Sequence, residues 1–557
     1  ENSKSYARTH YHQVMMHRTL LYCCVLVFVI CAVNAQIMNG LVIKTTQGWI
    51  EGVPNGSVRK FLGIPFAQPP VGDLRWKRPN IAESWSGVRK AHEFGSPCAQ
   101  LPNKNVASSS EDCLYLNVFT PSLDIINGSS LPVMVFIHGG CWVDGAANMP
   151  LYTGEFLVAN NKNIIIVTIN YRLGPFGFLG STFLAKDSMS DMDASFQNTT
   201  GNYGLEDQRL ALQWVKANIG AFGGDPNRVT VFGQSAGSGS IANHLVMEKS
   251  WESFDQAILE SAPIVDWIAR TLDTAESQFT VFANDLGCYY ENDPTATLAC
   301  LRAKSTAEVL MAKNGCTEDS GCCWYPVIDY VELTDRPDVL ASAGKVKQTS
   351  LMLGSNKDEE TMFLEVPYEY SAEEYVQFVT NQFGDQAEAV LKLYPPPTGN
   401  KTAWWSLDAI GTDLSFVCPA RRTARWLSTA FQSNPTSSAQ VFLYYWTHVI
   451  SESQAKDPSE GAYHGVELPF VFDHPEVRLP NATYIFTPAE KAFQDKVVQL
   501  WLQFAISGNP SVPSLGVMWP AYDQSTDLSL TLNEVIYGVK GLREEYCDYW
   551  DSVYPWK

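Results

Sequence analysis

Six short apolar runs, separated by helical patterns, constrain this chain more than any other feature. They are LPVMVFIH (131–138), NIIIVTINY (163–171), RVTVFG (228–233), DQAILESA (255–262), TSLMLG (349–354) and VFLYYWTH (441–448). Runs this rich in aliphatic and β-branched residues are the pattern of strands buried on both faces. Between the second and third, Leu212, Val215 and Ile219 recur at helical spacing in EDQRLALQWVKANIGAFGG, which closes on glycines suited to a helix C-terminus. Strands alternating with helices predict an α/β fold with a large, mostly parallel central sheet and helices on both faces. Ligands of such sheets bind beyond the carboxyl ends of the strands, so the residues that follow each run carry the chemistry.

Nothing divides the chain into smaller units. Of its 557 residues 45% are hydrophobic and 18% charged, ample for a large core, and no internal repeat or low-complexity linker interrupts them. Residues 36–557 are therefore expected to form a single domain. Residues 1–15 precede Met16 without periodicity and read as an upstream leader or artefact. From Met16, MHRTLLYCCVLVFVICAVNAQ has a basic start, an apolar run of 14 residues from Leu20 to Val33 and small residues before Gln36, the layout of a signal peptide over 16–35. That run is shorter than the roughly 20 residues of a spanning helix. The final DSVYPWK offers no apolar tail for a lipid anchor. A secreted protein, or one held in the secretory lumen, with no transmembrane anchor in its mature chain is the expectation.

Charge and cysteines fit that compartment. The formal net charge of −20 argues against nucleic acid as a partner. Ten of the thirteen cysteines follow residue 35, where pairing is the default in an oxidising environment. Asn-x-Ser/Thr sequons make Asn55, Asn127, Asn198, Asn400 and Asn481 glycosylation candidates.

After RVTVFG comes GQSAGS, with Gly233, Ser235 and Gly237 in a G-x-S-x-G pattern and a helix-compatible run, AGSGSIANHLVM, beyond it. Strand, tight turn and helix are the setting of a nucleophile elbow, in which the serine is lifted above the sheet. A serine hydroxyl needs a base to accept its proton and an acid to orient that base, in the chain order Ser, acid, His on this kind of sheet. Of the downstream histidines, His448 ends an apolar strand and reads as a core residue, and His474 sits in DHP, a turn expected to be solvated. His464, in EGAYHGVELPF, has glycines near it on both sides, making a loop able to reach a site. The acid belongs just after a strand, where LMLGSNKDEE offers Asp358, Glu359 and Glu360 in a row. Composition does not choose among the three, and two are expected to be solvated. No His/Cys/Asp cluster has metal-ligand spacing, and no metal or cofactor is called for.

The ordered stretches FLGIPFAQPPVGDLRW, SSEDCLYLNVF, HGGCW, NYRLGPFGFLG, GNYGLEDQRLALQWVKANIGAFGGDPNRVTVFGQSAGS, GSNKDEE and YHGVELPFVF together resemble the type-B carboxylesterase/lipase family, which includes cholinesterases. The resemblance spans nearly all of 36–557. It implies an α/β-hydrolase fold and a triad of Ser235, Glu359 and His464, with backbone N–H groups of Gly140, Cys141 and Ala236 as oxyanion hole. It also implies disulfides Cys98–Cys113, Cys288–Cys300 and Cys418–Cys547, and structural ion pairs Arg172–Asp207 and Arg75–Glu111. The implied activity is hydrolysis of small carboxylic esters through an acyl-enzyme.

Departures from the family pattern bear on substrate. Cholinesterases usually carry a glutamate just before the serine and a cation-binding tryptophan in the first disulfide loop. Here Gln234 stands at the first position, and the loop CAQLPNKNVASSSEDC contains no aromatic residue. A quaternary ammonium loses its counter-charge and a cation–π face worth about 0.5–2 kcal/mol, so uncharged esters are the expected substrates. Counting back from Pro326 places the acyl-pocket positions near Ser320 and Cys322, which implies a wider pocket, and two of Cys316, Cys322 and Cys323 are candidates for a local disulfide. Cys141 stands where the family usually has glycine or alanine. Its N–H, not its sulfur, is the useful group, and a bulky thiol reagent is expected to crowd the site. The rival readings are a catalytically dead binding or adhesion protein on the same scaffold and an interfacial lipase.

Overall fold

All six apolar runs become neighbouring strands of one eleven-stranded sheet. In chain order its strands are β1 (Val53–Asn55), β2 (Val58–Pro65), β3 (Tyr115–Pro121), β4 (Leu131–Ile137), β5 (Ile165–Ile169), β6 (Gly224–Gln234), β7 (Gln256–Glu260), β8 (Leu351–Asn356), β9 (Val441–Trp446), β10 (Leu528–Leu532) and β11 (Tyr537–Lys540). They lie in the order β11-β10-β9-β8-β7-β6-β4-β5-β3-β2-β1. The seven strands β4 to β10 are parallel to their neighbours within that set, while β1, β2, β3 and β11 add antiparallel edges. The sheet comes from a computed structural model that describes residues 40–103, 105–123, 130–315, 323–399, 401–479 and 482–553. The leader and signal segments, Asn127, Asn400, Asn481, Cys316, Ser320 and Cys322 lie outside the described residues.

The two-residue period of each strand sorts its side chains into two cores. Val133, Val135 and Ile137 of β4 join one cluster, with Leu212 and Val215 of the helix α1 (Tyr203–Asn218) and Ile241 and Leu245 of α2 (Ala236–Val246). Met134 and Phe136, the alternate residues, join the other, with Val497, Trp501 and Phe504 of α3 (Pro488–Ser507). Every residue of β4 is buried, which explains the absence of a polar alternate in its sequence. Each such side chain contributes about 1.5–3 kcal/mol when taken out of water.

Helix boundaries follow local chemistry. The Thr487 side chain and Glu490 form a capping box at the start of α3, and Gly508, at φ 73°, closes it. Helix α1 starts at Tyr203, three residues before the stretch EDQRLALQWVKANIGAFGG, and Ile219 carries the chain into a 3₁₀ turn that ends on Gly223.

Three disulfides join Cys98 to Cys113, Cys288 to Cys300 and Cys418 to Cys547. Arg172 forms a buried pair with Asp207, whose two oxygens each lie 2.8 Å from the guanidinium. Arg75 binds Glu111 in the same two-pronged way at 2.7 and 2.6 Å. The first ties the loop after β5 to α1, and the second joins two loops. Of the sequons, Asn55 and Asn198 are exposed.

Candidate active site

The candidate residues gather at the carboxyl ends of adjacent parallel strands, as the sheet geometry requires. Strand β6 delivers Ser235, β4 delivers the HGGCW turn, β8 leads to Glu359, and the loop after β9 carries His464. Ser235 is the N-cap of α2 and sits at φ 57°, ψ −130°, a conformation that costs a non-glycine residue about 1–3 kcal/mol. The surrounding glycines are dictated by neighbours. A Cβ on Gly237 would collide with the carbonyl oxygen of Ile137 in β4, and one on Gly233 would lie 2.7 Å from the same atom. The pattern G-x-S-x-G is thus the price of running the turn hard against the next strand.

His464 Nδ1 lies 2.6 Å from Glu359 Oε2, and Oε1 of the same carboxylate accepts from the Asn356 N–H at 2.6 Å. Glu359 is fully buried. The geometry therefore selects among the three acids that composition left equal. The expectation that the other two are solvated is corrected. Asp358 is buried, accepts from the Ala462 N–H and pairs with Lys357, while Glu360 is half-buried and its carboxyl is pushed up to about 7 by burial, partly offset by the nearby His464.

The second imidazole nitrogen, His464 Nε2, is buried and has no hydrogen-bond partner among the described residues. Ser235 does not hydrogen-bond to it directly, although a Cβ on Gly465, the residue after His464, would lie 3.5 Å from the side chain of Gln234, the residue before Ser235. Catalytic hydrogen bonds are often open before substrate arrives. His448 is buried in the core as expected, bound to Asn533. The solvated position expected for His474 is corrected: it is only 8% exposed, and its Nε2 donates to the Leu151 carbonyl.

The HGGCW turn is pinned from several sides. Tyr171 donates to the His138 carbonyl at 2.8 Å and stacks on its ring, and burial lowers the His138 imidazole to about 4, leaving it neutral. Gln100 holds Gly145 by both its amide groups, and the Trp142 indole donates to Ser240 in α2. Gly140 at φ 107°, followed by Cys141 at 52° and Trp142 at 57°, turns the backbone through three left-handed residues. The N–H groups of Gly140 and Ala236 donate to no group among the described residues. The expectation that a bulky thiol reagent would crowd the site is corrected, because Cys141, whose pairing the sequence leaves open, is disulfide-bonded, as is Cys323. The sulfur that a single sequence left open is a cross-link at the turn itself.

Phe363 and Phe416 lie 5.1 and 5.3 Å from the His464 ring, and Trp267 continues the apolar wall at 6.0 Å from Phe416. Behind the acid stand residues that sequence reasoning missed. Asn356 donates to Glu467 at 2.6 Å, and Glu260, at the end of β7, accepts from Trp501 at 2.6 Å while its carbonyl receives the Ser235 N–H at 2.9 Å. Their only signal was position: Glu260 ends an apolar run, and Glu467 follows His464 by three residues.

A family model described as the carboxylesterase family matches residues 39–550. This chain belongs to the carboxylesterase family. Among curated carboxylesterase-family relatives it is 33% identical to an acetylcholinesterase of Danio rerio, covering 94% of this chain and 89% of that one. It is 32% identical to a cholinesterase of Mus musculus, covering 92% and 87%. Among solved structures of the family, a PNB esterase superposes with a TM-score of 0.75 at 32% identity, covering 92% of this chain and all of that one. The carboxylesterase-family fold, an α/β-hydrolase sheet with helices on both faces, and membership among serine carboxylesterases are thereby established for this chain. Among the described residues no helix is long and apolar enough to cross a membrane.

Proposed function

We propose that this carboxylesterase hydrolyses small, uncharged carboxylic esters through an acyl-enzyme on Ser235, with His464 as general base and acid and Glu359 as the group that orients it. The observation that carries the reading is the 2.6 Å bond between Glu359 and His464 Nδ1, which leaves Nε2 as the nitrogen available to a substrate-bound serine. Ser235 Oγ attacks the ester carbonyl as His464 takes its proton. The imidazolium then returns that proton to the leaving alkoxide, and water repeats the sequence to free the acid and restore the serine. The N–H groups of Gly140, Cys141 and Ala236 receive the oxyanion, where losing one donor costs about 3–4 kcal/mol.

The apolar wall of Trp267, Phe363 and Phe416 around His464 favours a hydrocarbon acyl group over a charged one. The neutral Gln234 and the absence of any aromatic residue between Cys98 and Cys113 argue against a choline headgroup, although two of the relatives are named for cholinesterase activity. The disulfides support passage through an oxidising compartment, hence secretion, with residues 36–557 as one mature domain.

Hydrolysis of a short-chain nitrophenyl ester by the wild type and by Ser235→Ala tests the reading, with acetylthiocholine and a long-chain emulsified ester as further arms. Turnover of the short ester that is lost in Ser235→Ala is the expected outcome. Equal rates in both proteins would favour a binding protein on this scaffold, a preference for acetylthiocholine would overturn the uncharged-ester assignment, and activity confined to the emulsion would indicate a lipase.

A further inference from the structure

Asp144 folds its carboxylate back against the oxyanion turn. Its N–H donates to the Gly140 carbonyl at 3.0 Å, and a Cβ added to Gly140 would collide with its Oδ1. The other oxygen, Oδ2, accepts from the Asn103 side-chain amide at 3.3 Å, in the loop closed by Cys98–Cys113. No lysine or arginine among the described residues pairs with this carboxyl, and burial pushes it above the usual range. The residue is only half-buried, so a ligand can reach it. A polar group of opposite character flanks the neighbouring glycine. A Cβ added to Gly139 would lie 2.9 Å from Ser235 Cβ and 3.3 Å from Gln234 Oε1. Gln234 is 5% exposed, and its Nε2 is buried with no hydrogen-bond partner among the described residues. Gly139 and Gly140 thus carry an amide donor and a carboxylate acceptor on the flanks of one turn beside Ser235. The aromatic wall of Trp267, Phe363 and Phe416 suits the acyl half of an ester, which leaves these two groups to the alcohol half.

We propose that Asp144 and Gln234 select the alcohol half of the substrate, and that the preferred alcohols carry a hydroxyl close to the ester oxygen, as a glycol monoester does. The hydroxyl donates to Asp144 Oδ1, and oxygen lone pairs of the same alcohol accept from Gln234 Nε2. A hydroxylated alcohol supplies both the proton and the lone pairs that these two groups lack. A hydrocarbon alcohol supplies no hydroxyl and leaves the carboxylate desolvated without a donor, and a site built to bond a hydroxyl rejects the analogue that lacks it for that reason. A quaternary ammonium matches the charge of Asp144 but offers no N–H to it and no lone pair to Gln234. Asp144 and Gln234 are specificity residues, and the inference rests on ester hydrolysis at Ser235.

2-Hydroxyethyl butyrate and propyl butyrate share an acyl group and an alcohol of equal length, and differ by one hydroxyl. The wild-type kcat/KM is expected to be about tenfold to a hundredfold higher for the first, the range of one hydrogen bond to a charged group. Asp144→Ala is expected to bring that ratio below about threefold. Because both esters meet the same protein, general damage to the turn cancels in the ratio. If Asp144→Ala fails to fold, Asp144→Asn keeps the size and removes the charge, and the ratio must fall with it. An undiminished ratio in the folded variant overturns the role of Asp144. Gln234→Met removes the donor at similar bulk and must lower the ratio as well, or Gln234 has no part in the selection. A wild type that turns over both esters at a ratio near one overturns this inference and leaves the hydrolase reading standing, whereas turnover of neither overturns both. A wild type that prefers butyrylcholine to 2-hydroxyethyl butyrate overturns the choice of a hydroxyl.

Discussion

Glu359 and His464 are 105 residues apart in the chain and 2.6 Å apart in space, joined through Nδ1. That bond determines which imidazole nitrogen carries a proton, and hence which one can accept another. Glu359→Gln keeps the shape but presents an amide that can impose the wrong tautomer. Its kcat on a chromogenic ester is expected to fall about 10³–10⁴-fold with KM and thermal unfolding little changed. A loss under tenfold would remove Glu359 from the triad.

Gly237 has no room for a side chain against the Ile137 carbonyl. Gly237→Ala must push β4 and the elbow apart, at a cost of about 3 kcal/mol, the upper part of the range for an added methyl in a packed core. Chemical denaturation should show that loss, with activity falling in parallel because Ser235 moves with the turn.

Cys141 is cross-linked, so a thiol reagent applied to the unreduced protein should leave it unlabelled, as peptide mapping would show. Cys141→Ala removes the tether but keeps the N–H. It is expected to lower stability by about 2–4 kcal/mol while the folded fraction still hydrolyses ester. If Cys141→Ala were as inactive as Ser235→Ala with the fold intact, more than a backbone donor would reside at this position.

Among the described residues Asp207 is the sole carboxylate on the Arg172 guanidinium, and both side chains are buried. Asp207→Ala leaves an uncompensated buried cation, for which a loss of about 3–5 kcal/mol is expected in denaturant unfolding. Because the pair is structural, kcat per folded molecule should be preserved.

Glu206 gives a pH dependence of stability. Burial, then the neighbouring Glu332, raises it from the usual carboxyl range to about 8, against the opposing pull of Arg209, Arg172 and Arg78. The folded state therefore binds this proton more tightly than the unfolded chain, so the stabilisation is fully present below about pH 4.5 and is lost as pH rises through about 8. Glu206→Gln removes the titration. Its unfolding midpoint should gain on the wild type progressively between these limits, and a constant difference across that window would contradict the assignment.

Much of this protein was legible before any coordinates. The six apolar runs declared their strands because a strand buried on both faces has no solvent side to mark with polar residues. Gly233 and Gly237 declared the elbow because no other residue fits beside β4. Short-range constraints of this kind are written into neighbouring residues. The choice of Glu359 over Asp358 and Glu360 was not, since it depends on which carboxylate meets a histidine more than a hundred residues away. His474 in its turn is buried and bonded to the Leu151 carbonyl, 323 residues away in the chain, and Cys141 is disulfide-bonded. The sequence by itself determined the strands and the tight turn that carries Ser235, because these depend on local sterics and solvent exposure. Only the tertiary structure decided which of the three acids meets His464 and that Cys141 is disulfide-bonded, because those depend on distances between segments that the chain order leaves far apart.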